Sequence, residues 1–213
     1  VAEGRDRGKP LVSVRVYVEG AGDYKHTDNA TACRRGFQEL FEKLGLPERR
    51  LKLIACGSRL QTFNDFRKAV RQHPDDFVIL LVDSEGAVEV PGAWAHLHVR
   101  DDWQRPAGTI EDQAHLMVQC MEAWFLADRE ALAEFYGQGF LAGSLPGQPN
   151  IEQIPNRSLL PGLKHASKQT SKGPYDKTRH AFALLALIDP QKLRAASPHA
   201  GRLFDVLIHR TNV

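Results

Sequence analysis

The sequence predicts an α/β fold: a mostly parallel sheet flanked by helices, followed by an all-helical C-terminal extension. Three observations lead there. Short β-branched or apolar runs alternate with helix-period segments through the first half of the chain. The run Phe-Val-Ile-Leu-Leu-Val at 77–82 is continuously apolar, as a central strand covered on both faces must be. From Arg129 onward only helical patterns recur, so residues 1–128 are expected to form the α/β part and 129–213 to pack on it as one structural unit. A chain of 213 residues suffices for one such domain with an appendage.

Taken in order, residues 11–18 alternate around Val12, Val14, Val16 and Val18, and this strand pattern stops at Glu19-Gly20. After a polar loop, Cys33, Phe37, Leu40, Phe41 and Leu44 recur at helical spacing, with Thr27 and Asp28 as candidate caps and Gly45 as the stop. Residues 51–56 read as a second strand. Phe63, Phe66 and Val70 mark a helix ending near Pro74, and the third strand at 77–82 runs into Asp83. Residues 95–99 are expected to add a strand on which His96 and His98 face the same side. That spacing permits a metal pair but offers no third ligand, so a structural role is the simpler expectation. Arg100-Asp101-Asp102-Trp103, which follows, either lines a cleft or is plain surface.

Pro106-Ala107-Gly108-Thr109 opens a long helix predicted over 110–127. Further helices are predicted over 129–136, closed by Gly137, and over 159–166, 177–187 and 198–209. Asp189-Pro190 and Ser197-Pro198 each set a capping residue before a proline suited to a first helical turn.

No apolar run approaches the roughly 18 residues of a membrane span, and the opening Val1-Ala2-Glu3 carries no apolar signal segment, so a cytoplasmic protein without membrane attachment is expected. Cys33, Cys56 and Cys120 are odd in number and lack metal-ligand spacing, which points to buried free thiols. A net charge of +2 leaves the partner open, because phosphate binding depends on where Lys and Arg cluster.

In an open parallel sheet the ligand crevice lies beyond the carboxyl ends of the strands. Glu19, Asp83 and Glu85 follow strand ends and would share that edge. Carboxylates gathered there repel one another unless protonated or bound to a cation, and hard oxygen donors suit Mg²⁺ or Mn²⁺. The plainer alternative is that each acid is a solvated turn residue. Glu122 interrupts the apolar run 121–127; on a helix it aligns with Gln119, His115 and Asp112 in a polar stripe opposite Met117, Met121 and Trp124. Such a stripe is either a solvated face or the border of the acidic cleft, with Glu122 then serving a second metal site. The segment 164–180 concentrates Lys164, Lys168, Lys172, Lys177 and Arg179 around Tyr175. It is either a solvated basic loop or a phosphate-binding one, with Tyr175 stacking on a base.

Val16-Tyr17-Val18-Glu19-Gly20 and Leu81-Val82-Asp83-Ser84-Glu85-Gly86 resemble the two motifs of Toprim domains, a Glu after the first strand and an Asp-x-Asp pair after the third. Glu85 stands where the second Asp of that pattern would be. Met121-Glu122-Ala123-Trp124-Phe125-Leu126-Ala127-Asp128, with Lys172-Gly173-Pro174-Tyr175-Asp176-Lys177, is similar to the bacterial domain-of-unknown-function 4276 family, regarded as Toprim-like, and this likeness covers nearly the whole chain. The resemblance implies a divalent-metal-dependent nuclease acting on DNA or RNA. Glu19, Asp83, Glu85 and Lys177 would be its catalytic residues; Glu19, Asp83, Glu85 and Glu122 its ligands for Mg²⁺ or Mn²⁺; and Lys168, Lys172, Tyr175, Lys177 and Arg179 its nucleic-acid contacts. It also implies an antiphage defence effector working with an ATPase partner protein. The alternative from another class is a catalytically inactive nucleic-acid- or nucleotide-binding regulatory module.

Overall fold

The structure, a computed structural model, describes residues 13–20 and 27–212. Val1-Ala2-Glu3, the expected strand residues Leu11 and Val12, and the side chain of the candidate cap Thr27 lie outside the described residues.

Four parallel strands, β1 (Val14–Val18), β2 (Leu51–Ala55), β3 (Phe77–Asp83) and β4 (Ala114–Met117), form a sheet in the order β2-β1-β3-β4. Helix α1 (Thr27–Glu42) connects β1 to β2, and α2 (Arg59–Gln72) carries the chain from β2 past β1 to β3. The chain therefore leaves β1 towards one sheet edge and β3 towards the other. A switch of direction between neighbouring strands opens a crevice beyond their carboxyl ends, and here that crevice lies between β1 and β3.

Strand alternation divides the core into two layers. Val14, Val16, Val18, Ile79 and Leu81 face a large cluster with Phe37, Phe41, Trp124, Phe182 and Phe204. Tyr17, Val78, Leu80, Val82 and Leu116 face the other way, against Phe63, Phe66, Trp94, Leu97 and Trp103. The first layer is built from α1, from a buried 3₁₀ stretch (Met121–Ala127), and from the C-terminal helices α4 (Arg129–Tyr136), α5 (Asn156–Ser167), α6 (Lys177–Leu187), α7 (Pro190–Ala196) and α8 (Pro198–Thr211). Asp189 and Ser197 cap α7 and α8 through Gln191 and Ala200, with proline in the first turn of each.

Two expected elements are different. Residues 95–99 belong not to a strand but to a helix, α3 (Ala93–Asp101). Ala93, Trp94 and Leu97, at helical spacing, are the residues that bury against the second layer, and Asp102 ends the helix in the left-handed region at φ 55°. Successive even positions do not share a helix face, so the His96/His98 metal pair is lost: His96 is buried with Nε2 2.9 Å from the Ser84 carbonyl, while His98 is exposed.

The long helix over 110–127 is also absent. In its place stand a 3₁₀ turn (Glu111–Gln113), β4, and the 3₁₀ stretch Met121–Ala127; the Val118–Gln119 peptide between them is cis. β3 would otherwise be an open edge, and pairing of Ala114–Met117 with Leu80–Asp83 overrides the helical period. The predicted polar stripe disperses accordingly. Asp112 accepts from Arg202 at 3.1 Å, and His115 bonds the Asp112 carbonyl at 3.0 Å. Gln119 accepts from the Asn156 amide, and only Glu122 reaches the acidic edge.

Candidate active site at the carboxyl edge of the sheet

Glu19 and Asp83 end the two central strands, and their backbones are fixed by the sheet. The Glu19 amide donates to the Leu81 carbonyl at 3.1 Å, and the Asp83 amide donates to Glu19 Oε2 at 3.4 Å. Asp83 is buried, with Oδ1 accepting from the Met121 amide at 2.8 Å. That amide opens the 3₁₀ stretch, which seats Glu122, 1% exposed, beside the same edge. Glu122 Oε1 accepts from the Tyr175 hydroxyl at 3.2 Å and pairs with Lys177 Nζ at 3.2 Å. The N-terminus of α6 and the loop before it thus reach back to the strand ends.

Glu85 lies just outside. It is exposed, adopts φ 61°, and its amide is held by the Gln119 carbonyl at 2.7 Å. Its charge acts on Glu19 from the rim.

The cluster's electrostatics follow from burial and like charge. Asp83 is pushed up to about 8, by burial first and then by the carboxylates of Glu19 and Glu122, against the opposing pull of Lys177 and the Met121 amide. Burial and Glu85 likewise raise Glu19, with Arg59 opposing. Burial works against the charge on Lys177, but Glu122 and Asp83 outweigh it and hold the ammonium above its ordinary range. Burial, reinforced by Glu122, pushes the Tyr175 phenol up, so it stays a donor at neutral pH. The Cys120 thiol is raised in the same way, and all three cysteines are buried and free.

Arg59, the first residue of α2, was not foreseen. Its guanidinium meets Asp101 through Nε at 3.0 Å and Nη2 at 2.7 Å, pairs with Glu19 at 3.3 Å, and donates to the Asp83 carbonyl. It also lies 5.1 Å from the centre of the Trp103 ring, which stacks on Phe63 at 4.1 Å. The signal was present in Gly57-Ser58-Arg59, which directly follows β2 and therefore emerges at the same sheet edge as Glu19. Asp101 belongs to the site wall through this contact.

Of the expected nucleic-acid contacts, Tyr175 is corrected: it is buried against Phe125 and bonded to Glu122, so its ring is not available to a base. Lys172 lies with its ammonium 4.9 Å from the centre of the Phe135 ring. Lys168 and Arg179 are exposed, Arg179 beside Asp176 at 3.6 Å. Of these basic residues, Lys177 joins the acidic cluster, where Tyr175 also donates to Glu122.

Among the described residues no three His, Cys, Asp or Glu side chains are gathered closely enough to hold a metal ion. The donor chemistry nevertheless suits a hard cation: Glu19, Asp83 and Glu122 offer only oxygen, and burial, the first cause of the raised proton affinities of Glu19 and Asp83, disfavours leaving either carboxylate charged without a cation beside it. No curated protein and no solved structure matches the chain. Residues 18–208 match the family described as Domain of unknown function (DUF4276), and the chain belongs to that family.

Proposed function

We propose that the chain is a divalent-metal-dependent phosphodiesterase that cleaves DNA or RNA. The observation that carries this reading is Asp83, a carboxyl buried at the β1/β3 switch point, with Glu19 and Glu122 in its field and its proton affinity lifted to about 8. Buried carboxylates in mutual repulsion are relieved by a proton or by a cation. Glu19, Asp83 and Glu122 would hold Mg²⁺ or Mn²⁺ only by drawing closer together than they stand in this structure, with Glu85 adding charge at the rim. A bound divalent ion supplies charge neutralisation at the scissile phosphate and a more acidic water.

The chain's own residues do the rest. Glu19, at the end of β1 beside Asp83, would either ligate the ion or accept the proton of the attacking water. Arg59, locked by Asp101, keeps Glu19 and the Asp83 carbonyl in register. Lys177, whose side chain is 56% exposed, reaches both Glu122 and solvent and offers its ammonium to a phosphate oxygen. The defence role and the ATPase partner belong to the same proposal and rest on the Toprim-like resemblance alone.

One observation favours the second reading, an inactive nucleic-acid- or nucleotide-binding module: Arg59 and Lys177 already stand as counter-ions to Glu19 and Glu122, so a divalent ion must compete with them. Incubation with single- and double-stranded DNA and RNA, with Mg²⁺ or Mn²⁺ and with a chelator, separates the two. Metal-dependent cleavage lost in Asp83→Asn is expected. Intact substrates under every condition, with binding retained, would replace the nuclease with the binding module.

A further inference from the structure

A groove of about 520 Å³ runs along the outer face of α2, between that helix and the segment following α3. Leu60, Asn64, Arg67 and Arg71 line one side at spacings of four, three and four, a single helical stripe. Trp103, Gln104, Arg105 and Pro106 line the other. From Leu60 to Arg71 the helical rise of about 1.5 Å per residue gives a length of roughly 17 Å, enough to follow a chain rather than to hold one small ion.

Its chemistry is that of a polyanion track with an apolar floor. Arg67, Arg71 and Arg105 are exposed, and among the described residues none of them forms an ion pair. Asp102 is the opposing charge in the groove, and it is a solvent-exposed side chain 3.7 Å from His98. Phe63 and Trp103, stacked on each other, form the floor, and the Arg67 guanidinium lies 5.5 Å from the Phe63 ring centre. The floor is also the link to the acidic edge: Trp103 carries Arg59, which reaches Glu19 and Asp83.

We infer that this groove binds the sugar–phosphate backbone of a single-stranded nucleic acid, whose path continues past Trp103 and Arg59 to the acidic cluster. This rests on the phosphodiesterase reading for the direction of the path, but the groove's own charge and shape assign the ligand class. A single strand fits better than a duplex because the arginines of α2 follow one helical stripe, so one backbone can lay its phosphates along them while its base edges meet exposed Leu60 and half-buried Val70 and Pro106.

The test uses the full chain, a fluorescently labelled single-stranded oligonucleotide of mixed sequence, its duplex, and the variant Arg67→Gln/Arg71→Gln/Arg105→Gln, with binding read by anisotropy over a salt series in chelator. Each phosphate contact on a single strand contributes about 0.7 to the slope of log affinity against log salt, so losing three should flatten it by about 2 and weaken all sequences alike. A thermal melt matching the wild type shows that the variant folds. An unchanged slope and affinity, no single-strand binding by the wild type, or binding of the duplex alone each overturn the inference. Loss of cleavage in Asp83→Asn with arginine-dependent binding intact supports both readings. Arginine-dependent binding without any cleavage leaves the groove standing and removes the nuclease, whereas cleavage with binding indifferent to the arginines does the reverse.

Discussion

At the scale of single residues, Asp83 decides how the protein responds to pH. In the folded chain it keeps its proton to about pH 8, whereas unfolded it ionises near its ordinary value of 3.8. Between those values the folded state binds more protons than the unfolded one, so stability falls as pH rises through the window and the loss is complete above about 8. Asp83→Asn removes the titration. In chelator it should melt above wild type at pH values beyond about 8, the gap closing towards pH 4. His115 acts in the opposite direction: burial lowers it to about 4 from 6.5, so its contribution is present above 6.5 and lost as pH falls, but equally in both proteins. Parallel melting curves would place the Asp83 carboxyl in contact with solvent. Tyr175→Phe should cost roughly 1–2 kcal/mol in a denaturant titration, because Glu122 loses a buried donor, and the loss should be absent in a Glu122→Leu background, which has no acceptor for the hydroxyl. Glu19 and Asp83 were legible because strand ends in a parallel sheet point to one edge. Glu122 was legible as an acid inside an apolar run, although on a helix that does not exist. The pairing of Arg59 with Asp101 was not, since it spans 42 residues and depends on how α2 and α3 pack, although Arg59 follows the end of β2 and Asp101 lies in a segment open to a cleft-lining reading.

At the scale of elements, a single glycine sets how closely α1 and α6 approach. A Cβ added at Gly36 would lie 2.7 Å from the Phe182 carbonyl oxygen and 3.1 Å from its Cβ. In an open helix Gly→Ala stabilises by up to about 1 kcal/mol. At position 36 the sign should reverse, with Gly36→Ala destabilising by about 1–3 kcal/mol, because the two helices must part; a midpoint at or above wild type in urea would show that they can. Helices with a clear apolar stripe, such as α1 and α2, or with a capped proline start and a helical pattern behind it, such as α8, could be read from the sequence because local chemistry and tertiary packing agree there. For α3 and β4 they do not. Ala-Trp-Ala-His-Leu-His-Val alternates well enough to pass for a strand, and Ala-His-Leu-Met carries no strand signal of its own. Each takes its conformation from the sheet it meets, one as a cover over the second layer and the other as a partner for the open side of β3.

At the scale of the whole molecule, the C-terminal helices cover one face of the sheet. Phe182, Leu184, Leu185, Leu203, Phe204 and Leu207 share one cluster with Val16, Ile79 and Leu81, and the ring of Phe41 meets that of Phe204 edge-on at 6.2 Å. Polar ties cross the same boundary. Asp128 accepts from the Asp189 amide at 3.1 Å and from Lys192 at 2.7 Å, and Glu122 takes its donors from Tyr175 and Lys177. The sequence separates a mixed first half from a helical second half, but periodicity reports only that a face is apolar and not what covers it. A chain ending at residue 128 is therefore the informative fragment. It would bare the side of β1 and β3 that those helices cover. At roughly 1.5–3 kcal/mol for each large apolar side chain, the burial lost is on the order of 10 kcal/mol, comparable with the net 5–15 kcal/mol that holds a typical domain together. The fragment should bind a hydrophobic dye, lose its near-ultraviolet circular dichroism and melt without a cooperative transition, and it should take up no Mn²⁺ because the stretch Met121–Ala127 that seats Glu122 would have lost the helices packed on it. A sharp melt with dispersed amide resonances would instead establish residues 1–128 as an independent domain, and would move Tyr175 and Lys177 from the architecture of the site to its regulation.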